Sequence, residues 1–267
     1  MATLKGPIQF DGSVGDVRSY YDSDLKKQVL STKRRSNKNI IKENPSLWRQ
    51  DAMSVEFGGC STWATIIRSE TIEHVYLKKG RHNGKLSGIG RRIQLMDAEG
   101  RYGFRRIQSS KFNFPLIGYS MNKRHPFKEV FCVNPDVSIT EDRREVTLEL
   151  NNFRSYSKFN WPEPVSDYRV YLTIFELPDL EWNEGGKEYR PVYPTIGLAN
   201  KTTVSDWLTV STDPIDFQIK ATFDEDKLPR EKSTVIVSMG LEFASGMQHN
   251  TPFVVRDHGT TMIVACF

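Results

Sequence analysis

The chain has 267 residues, a formal net charge of +4 and a mean hydropathy of −0.50. No apolar run approaches the ~20 residues that a membrane-spanning helix needs, and the first residues lack the apolar core of a signal peptide. Three cysteines, Cys60, Cys132 and Cys266, are too few and too far apart for a disulfide framework or a paired-cysteine zinc site. We therefore expect a soluble protein without membrane contact, cytoplasmic or incorporated into an assembled particle, whose cysteines are small core residues.

Charge is distributed unevenly along the chain. Residues 1–130 contain 24 lysines and arginines against 12 acidic residues, a net charge of +12, whereas residues 131–267 contain 13 against 21, a net charge of −8. If both surfaces are exposed, the basic end of one copy attracts the acidic end of another. The alternative is that the two halves neutralise each other within one molecule.

The first 35 residues have the pattern of short strands separated by turn residues. Asp11-Gly12-Ser13 and Asp22-Ser23-Asp24 separate runs rich in β-branched and aromatic residues. This pattern predicts a β-hairpin arm, and because a hairpin alone is only marginally stable in water, we expect the arm to dock on its own chain or on a neighbouring copy. The predicted self-association residues are Ile8, Phe10, Val17, Tyr20, Tyr21, Val29 and Leu30.

Two helices are predicted next. The first begins at Asn44-Pro45 and has Trp48, Ala52, Val55, Gly59, Trp63 and Ile66 on one stripe, at steps of three and four residues. Glycine costs a helix about 1 kcal/mol relative to alanine, so Gly58-Gly59 predicts either the end of this helix or the close approach of another backbone. The second helix extends from Leu86 to Met96 and ends before Gly100.

From about residue 129 the apolar residues alternate. Alternation over 145–150, 168–175 and 217–223, with β-branched and aromatic runs at 235–243 and 262–267, predicts antiparallel strands. The fold class is therefore predicted as α+β, mainly β. Residues 1–128 are expected to form a basic region with the N-terminal β-hairpin arm and the helices, and residues 129–267 an acidic antiparallel β-sandwich domain.

Signatures of catalysis and of cofactor binding do not occur in the sequence. It has no nucleophile elbow, no phosphate-binding glycine loop and no histidine pair on a helix, and its five histidines are scattered. We expect a non-enzyme without a metal or other cofactor. A glycan-binding or glycan-cleaving sandwich stays open as an alternative, because a glycosidase needs only two carboxylates on different elements and exposed tryptophans of a sandwich could stack sugars. The candidates are Asp179, Glu181, Asp224, Glu225, Asp226, Trp161, Trp182 and Trp207.

Basic residues interleaved with aromatic ones form a second candidate surface. This pattern suits base stacking and phosphate neutralisation, although no zinc finger, helix-turn-helix or RNA-binding signature accompanies it. Nucleic-acid binding therefore remains an alternative to a solvated or protein-binding surface. The predicted basic surface comprises Lys33, Arg34, Arg35, Arg91, Arg92, Arg105 and Arg106.

Short motifs in the first fifth of the chain carry a resemblance. They are Gly12-Ser13-Val14-Gly15, Ser31-Thr32-Lys33 and Asn44-Pro45, together with Arg18, Tyr20, Arg49 and Phe57. With these motifs ahead of a β-rich region, the chain resembles a family of uncharacterised proteins common in Bacteroidetes genomes and their phages. The resemblance implies a lineage and no catalytic residues, because the family has no assigned activity. Arg34-Arg35 stands where relatives often have proline or glycine.

The leading functional expectation is a non-catalytic structural or assembly subunit of a repetitive particle, such as a phage-like tail, a capsid or a filament. The missing catalytic signatures, the arm that needs a docking site and the opposite charges of the two halves support it. The expected partners are further copies of the chain and other particle proteins, with nucleic acid as the alternative.

Overall fold

The computed structural model describes residues 2–3, 10–23, 25–32, 45–71, 77–160, 165–248, 251–255 and 259–267. The chain divides into two compact units, Met1–Ser54 and Val55–Phe267. The predicted boundary between residues 128 and 129 lies inside the second unit. The α+β, mainly β class is confirmed, with an N-terminal hairpin and antiparallel sheets.

The first unit contains a four-stranded antiparallel sheet. Its strands are β1 (Ala2–Thr3), β2 (Gly12–Val14), β3 (Val17–Asp22) and β4 (Lys27–Thr32), in the order β1-β4-β3-β2. Val14 pairs with Val17, so Gly15 and Asp16 form a two-residue turn. Gly15 has φ +56°, in the left-handed region that tight hairpin turns require and that glycine adopts without steric cost.

Four helices occur among the described residues: α1 (Trp48–Glu70), α2 (Asn83–Leu95), α3 (Phe127–Val130) and α4 (Ser155–Lys158). A 3-10 turn, Pro45–Leu47, precedes α1, and another spans Phe114–Leu116. None of the helices in this part of the chain is long and apolar enough to cross a membrane.

Helix α1 continues through Gly58 and Gly59, so the predicted helix end at this pair is wrong. The other predicted reason, close approach of a backbone, is also wrong. An ideal Cβ on Gly59 would lie 2.5 Å from Cγ of the Tyr189 side chain, and one on Gly58 would meet no atom of the described residues within 4 Å. The predicted apolar stripe is buried at Gly59, Trp63 and Ile66, but Trp48 is exposed.

The second unit contains two larger sheets and a hairpin. Its strands are β5 (Asp136–Ile139), β6 (Glu145–Phe153), β7 (Asp167–Pro178), β8 (Leu180–Asn183), β9 (Glu188–Pro191), β10 (Asn200–Val204), β11 (Leu208–Thr209), β12 (Ile215–Thr222), β13 (Ser233–Gln248), β14 (Thr251–Val254) and β15 (Thr260–Cys266). In the six-stranded sheet, β10-β7-β13-β14 is the main path, with β11 paired to β7 and β15 to β13. The three-stranded sheet has the order β12-β6-β5, and β8 pairs with β9.

One hydrophobic core lies between these two sheets, as expected for a sandwich. Alternate residues of each strand enter it, because successive side chains of a strand point to opposite faces. They include Val146, Leu148 and Leu150 of β6, Val170, Leu172 and Ile174 of β7, and Val235, Val237 and Met239 of β13.

A second core covers the opposite face of the six-stranded sheet. Phe175 and Leu177 of β7 and Ile236 of β13, which alternate with the residues of the first core, share it with α1 and α2. The helices contribute Cys60, Trp63, Ala64, Ile66, Ile67, Leu86 and Ile93. The second unit is therefore layered, with helices on one face of the large sheet and the small sheet on the other. Cys60 is a core residue as predicted, whereas Cys132 is exposed.

Candidate functional site

The hairpin arm presents an apolar face to solvent. Directly paired residues of antiparallel strands point to the same side, and residues two apart on a strand do so as well. Val14 of β2 and Val17 and Tyr21 of β3 therefore share one face. They are 66%, 39% and 57% exposed, respectively. Exposed apolar residues on one face of a small sheet form a candidate contact surface for another protein.

Gln28 fixes the polar part of this face. Its side-chain Nε2 lies 2.8 Å from the Phe10 carbonyl oxygen, 2.6 Å from Asp11 Oδ1 and 2.9 Å from Ser19 Oγ. Gln28 and Ser19 are buried, although Val17 and Tyr21 beside Ser19 are exposed. These hydrogen bonds hold the segment before β2 against the sheet. They therefore fix the position of β2 relative to the strands that carry the exposed apolar residues.

The structure distributes the predicted self-association residues over both faces of the arm. Val17 and Tyr21 are exposed, whereas Tyr20, Leu30 and Phe10 are partly buried. Tyr20 lies on the opposite face, where the Arg18 guanidinium carbon is 5.9 Å from its ring centroid. Ile8 lies outside the described residues.

Val29 needs a correction as a contact residue. It is only 1% exposed and pairs with Tyr20 and Thr3, so it is a core residue of the folded chain and not part of a free surface. Two exposed apolar residues, Val14 and Leu25, were missed by the sequence reasoning. The Gly15-Asp16 turn was the signal for Val14, because it places Val14 opposite Val17.

Strand β2 forms an edge of the sheet. Within the described residues it is paired on one side only, with β3, and all three of its residues are exposed. The free side of an edge strand presents unpaired N–H and C=O groups, which can accept a strand from another chain. The apolar face and the free edge therefore meet at Val14.

Comparisons with protein-family models, with curated proteins and with solved structures find no match. The function of the chain is therefore inferred from its own side chains. In the part of the chain that the structure describes, no group of three or more His, Cys, Asp or Glu residues could hold a metal ion.

Two arginines of the predicted basic surface bind one buried glutamate. Glu56 of α1 is fully buried, and its Oε2 accepts a hydrogen bond from Arg91 of α2. Its Oε1 lies 3.2 Å from Arg105 Nε and 2.9 Å from the Gly103 amide nitrogen. The charges of Arg91 and Arg105 thus compensate a buried carboxylate, and they are not free for a nucleic-acid phosphate.

Arg106 is bound in a similar way by Asp97, which is 4% exposed. Arg106 Nε donates to Asp97 Oδ2 at 3.1 Å, its Nη2 to Oδ1 at 3.1 Å, and its amide to Oδ2 at 2.8 Å. Burial acts to raise the pKa of Asp97. The hydrogen bonds from Arg106 and from the Gly100 amide outweigh this effect, and the pKa falls to about 2.

The low pKa of Asp97 predicts a pH dependence of stability. Replacing Asp97 by asparagine should lower the free energy of unfolding by about 2 kcal/mol at pH 7. Because the folded-state pKa lies below the ordinary value of 3.8, the stabilisation is complete above about pH 5 and is lost as the pH falls through about 4 to 2. Urea unfolding of the wild type and of Asp97→Asn over this range measures the difference.

The control is Asp136→Asn in β5, which removes an exposed carboxylate that has no partner among the described residues. We expect it to change the free energy of unfolding by about 0.5 kcal/mol or less at every pH. A difference between wild type and Asp97→Asn that stays constant from pH 7 to pH 2 would show that Asp97 does not stabilise the fold as a carboxylate.

Most of the described arginines of the predicted basic surface therefore form ion pairs with carboxylates of the same chain. Of its described residues, Arg91, Arg105 and Arg106 are bound by carboxylates, and only Arg92 is exposed without a side-chain partner in the described part of the chain. Lys33, Arg34 and Arg35 lie outside the described residues. A run of arginines indicates charge in the sequence, but the acids that neutralise it lie elsewhere in the chain, at Glu56 and Asp97.

The glycan candidates are dispersed. Asp179 is buried and accepts hydrogen bonds from the Ser110 amide and hydroxyl at 2.9 and 2.6 Å; burial raises its pKa, and these hydrogen bonds oppose the rise. Trp182 packs against Phe104 and Tyr189. Of the other described candidates, Trp207 lies beneath the Arg169 guanidinium. Asp224 forms an ion pair with Lys201 and Glu225 one with Arg144, whereas Glu181 and Asp226 are exposed. Trp161 lies outside the described residues.

Proposed function

We propose that this protein is a non-catalytic assembly subunit of a repetitive particle, such as a phage-like tail, a capsid or a filament, and that it self-associates through its N-terminal arm. The observation that carries the proposal is the exposed apolar face of Val14, Val17 and Tyr21 beside the edge of β2, which is unpaired within the described residues. A second copy can pair its own backbone with this edge and bury the three side chains.

The charge asymmetry contributes less to this proposal than the apolar face. Residues 1–130 carry a net charge of +12 and residues 131–267 a net charge of −8, but residues 55–130 belong to the same compact unit as residues 131–267. Part of this charge is therefore compensated within one molecule, and the remainder favours a head-to-tail contact between copies. Exposed charges are screened over about 8 Å at physiological salt. High salt should therefore weaken the electrostatic part of association while the strand pairing and the apolar contact persist.

The two alternatives have less support. A nucleic-acid strand needs a continuous series of free cations, but Arg91, Arg105 and Arg106 are held by Glu56 and Asp97. Glycan cleavage needs two carboxylates on either side of the glycosidic bond, but Asp179 is buried and accepts hydrogen bonds from Ser110. For glycan binding by stacking, Trp182 already packs against Phe104 and Tyr189.

A charge placed on the apolar face tests the proposal. Burying a valine contributes about 1.5 to 3 kcal/mol, so Val14→Lys in the full chain should weaken the dissociation constant for self-association at least tenfold. Multi-angle light scattering over a range of protein concentrations measures this constant. A chain that begins at Asn37 should be monomeric under the same conditions.

The matched control is Ser13→Lys. Ser13 precedes Val14 on the same edge strand, is also exposed and pairs with Arg18 on the opposite face, so the same charge is added away from the apolar side chains. We expect at most about a twofold effect. If the wild-type chain has a mass near 30.7 kDa at all concentrations and salt levels, the assembly proposal is wrong.

A further inference from the structure

A cleft of about 880 Å³ lies between helix α2 and the connection that follows it. Lys85, Ile89 and Arg92 line it from α2, and Tyr119, Lys123 and Pro126 line it from the opposite side. Its volume is in the range of about 300 to 1,000 Å³ that is typical of small-molecule sites. All of these residues belong to the second compact unit.

Two glycines, which have no side chain beyond hydrogen, leave room for a ligand in this cleft. Gly84 and Gly88 line it four residues apart on α2, and an ideal Cβ on either glycine would meet no atom of the described residues within 4 Å. Residues at this spacing share one face of a helix. Glycine at these positions therefore leaves open space, since neither residue is needed for close packing.

The charge of the cleft has one sign. Lys85, Arg92 and Lys123 line it, and none of the acidic residues in the described part of the chain does. All three are exposed, and none of their side chains has an ion-pair or hydrogen-bond partner in the described part of the chain. Two of them, Lys85 and Lys123, also act on nearby His82. Burial is the largest cause that lowers the pKa of His82, a hydrogen bond to the Lys79 carbonyl opposes it, and the charges of Lys123, Lys78 and Lys85 lower the pKa further.

The wall opposite α2 is fixed by hydrogen bonds. Asn122 Nδ2 donates to the Gly259 carbonyl at 2.7 Å, and Asn122 Oδ1 accepts from the Arg124 and His125 amides at 2.9 and 3.0 Å. The Tyr119 hydroxyl lies 3.0 Å from His82 Nδ1. Lys123 is therefore presented from a rigid turn, and a ligand would find this wall already formed.

The spacing of the cations indicates more than one anionic group. Lys85 and Arg92 are seven residues apart, which on a helix places them on the same face at a distance of about 10 Å along the axis. Two cations this far apart cannot both contact a single phosphate without bending towards each other, but they can contact separate phosphates of one molecule. Lys123 supplies a third charge from the other wall.

We propose that this cleft binds a small molecule with two or more phosphate groups, for which Lys85, Arg92 and Lys123 are the anion-binding residues. A small ligand fits better than a nucleic-acid strand, because the cleft is local and the neighbouring Arg91, Arg105 and Arg106 are bound by Glu56 and Asp97. This binding site goes beyond the proposed assembly function and does not depend on it.

Isothermal titration calorimetry of the full chain with inorganic tripolyphosphate tests the proposal. At physiological salt, tripolyphosphate should bind at least tenfold more tightly than inorganic phosphate. Lys85→Gln and Arg92→Gln should each weaken binding about tenfold, which corresponds to the loss of one charge-assisted contact. Lys158→Gln is the control, because Lys158 is exposed, has no side-chain partner in the described residues and lies outside the cleft. It should leave the affinity unchanged.

Gly88→Leu tests the space independently of charge. The new side chain should fill the cleft and reduce tripolyphosphate binding at least tenfold. The variant should keep or raise the Tm of unfolding, because leucine is a better helix former than glycine and meets no neighbouring atom at its Cβ.

Three results would overturn the proposal. The first is the absence of tripolyphosphate binding at millimolar concentration. The second is binding that Lys85→Gln, Arg92→Gln and Lys158→Gln weaken equally, because the anion would then be held by general surface charge. The third is that a single-stranded oligonucleotide binds more tightly than tripolyphosphate and that Lys85→Gln and Arg92→Gln abolish this oligonucleotide binding. Such a result would assign the cleft to nucleic acid.

Discussion

Replacing Glu56 by alanine is expected to lower the free energy of unfolding by about 3 kcal/mol, because it removes the buried partner of two arginine side chains, Arg91 and Arg105, that are themselves only 21% and 14% exposed. Glu56 is fully buried and joins three segments: its own helix α1, Arg91 of α2, and the connection that contains Gly103 and Arg105. Gln94 reinforces the site, since its side chain accepts a hydrogen bond from Arg91 at 2.7 Å and donates to the Arg105 carbonyl at 3.1 Å. Urea unfolding followed by circular dichroism measures the loss.

The matched control is Glu99→Ala. Glu99 also pairs with an arginine, Arg106, at 2.9 Å, but its side chain is 81% exposed. Exposed ion pairs contribute between 0 and about 1 kcal/mol, so the two glutamates should differ by at least about 2 kcal/mol. Equal losses for Glu56→Ala and Glu99→Ala would contradict the assignment of Glu56 as the centre of a buried network.

Much of the strand content could be predicted from local pattern. The alternation over 145–150 and 217–223 lies in β6 and β12, which are polar on their outer faces and apolar towards the core between the sheets. The turn residues of the arm also mark its strands correctly. These elements are predictable because a period of two is set by the strand itself and by one buried face.

The layer of helices on the large sheet was harder to predict. Residues 172–180, which include the second half of β7, are all buried. A strand that is buried on both faces often has a continuous apolar run, but Thr173, Glu176 and Asp179 interrupt this one, so the local pattern does not indicate a second buried face. Phe175 and Leu177 face the helices while Leu172 and Ile174 face the small sheet, and this division depends on contacts distant in sequence.

The candidate sites depend on pairing that no local pattern contains. Charge counting groups Arg91, Arg105 and Arg106 with Arg92, but only the fold shows that Glu56 and Asp97 bind the first three. A signal for Glu56 existed, since this carboxylate lies between the apolar residues Val55 and Phe57 of α1. For the arm, the sequence identified Tyr20, Tyr21 and Val29 together, whereas the register places Tyr20 opposite Val29 and Tyr21 opposite Gln28.

The two adjacent glycines of α1 should respond in opposite directions to the same substitution. Gly59→Leu is expected to lower the free energy of unfolding by about 3 kcal/mol, at the upper end of typical overpacking costs. The cause is the Tyr189 ring, which an ideal Cβ at Gly59 would approach to 2.5 Å. Tyr189 cannot move freely, because its hydroxyl donates to the Arg105 carbonyl at 2.9 Å beside the Glu56 network.

Gly58→Leu supplies the comparison, because it makes the same change one residue earlier in the same helix. Gly58 is exposed and has no atom within 4 Å of an ideal Cβ, so leucine should raise the free energy of unfolding by up to about 0.8 kcal/mol through helix propensity alone. Urea unfolding of both variants under identical conditions gives the difference directly. Similar effects of the two substitutions would show that the Tyr189 ring does not limit the space at Gly59.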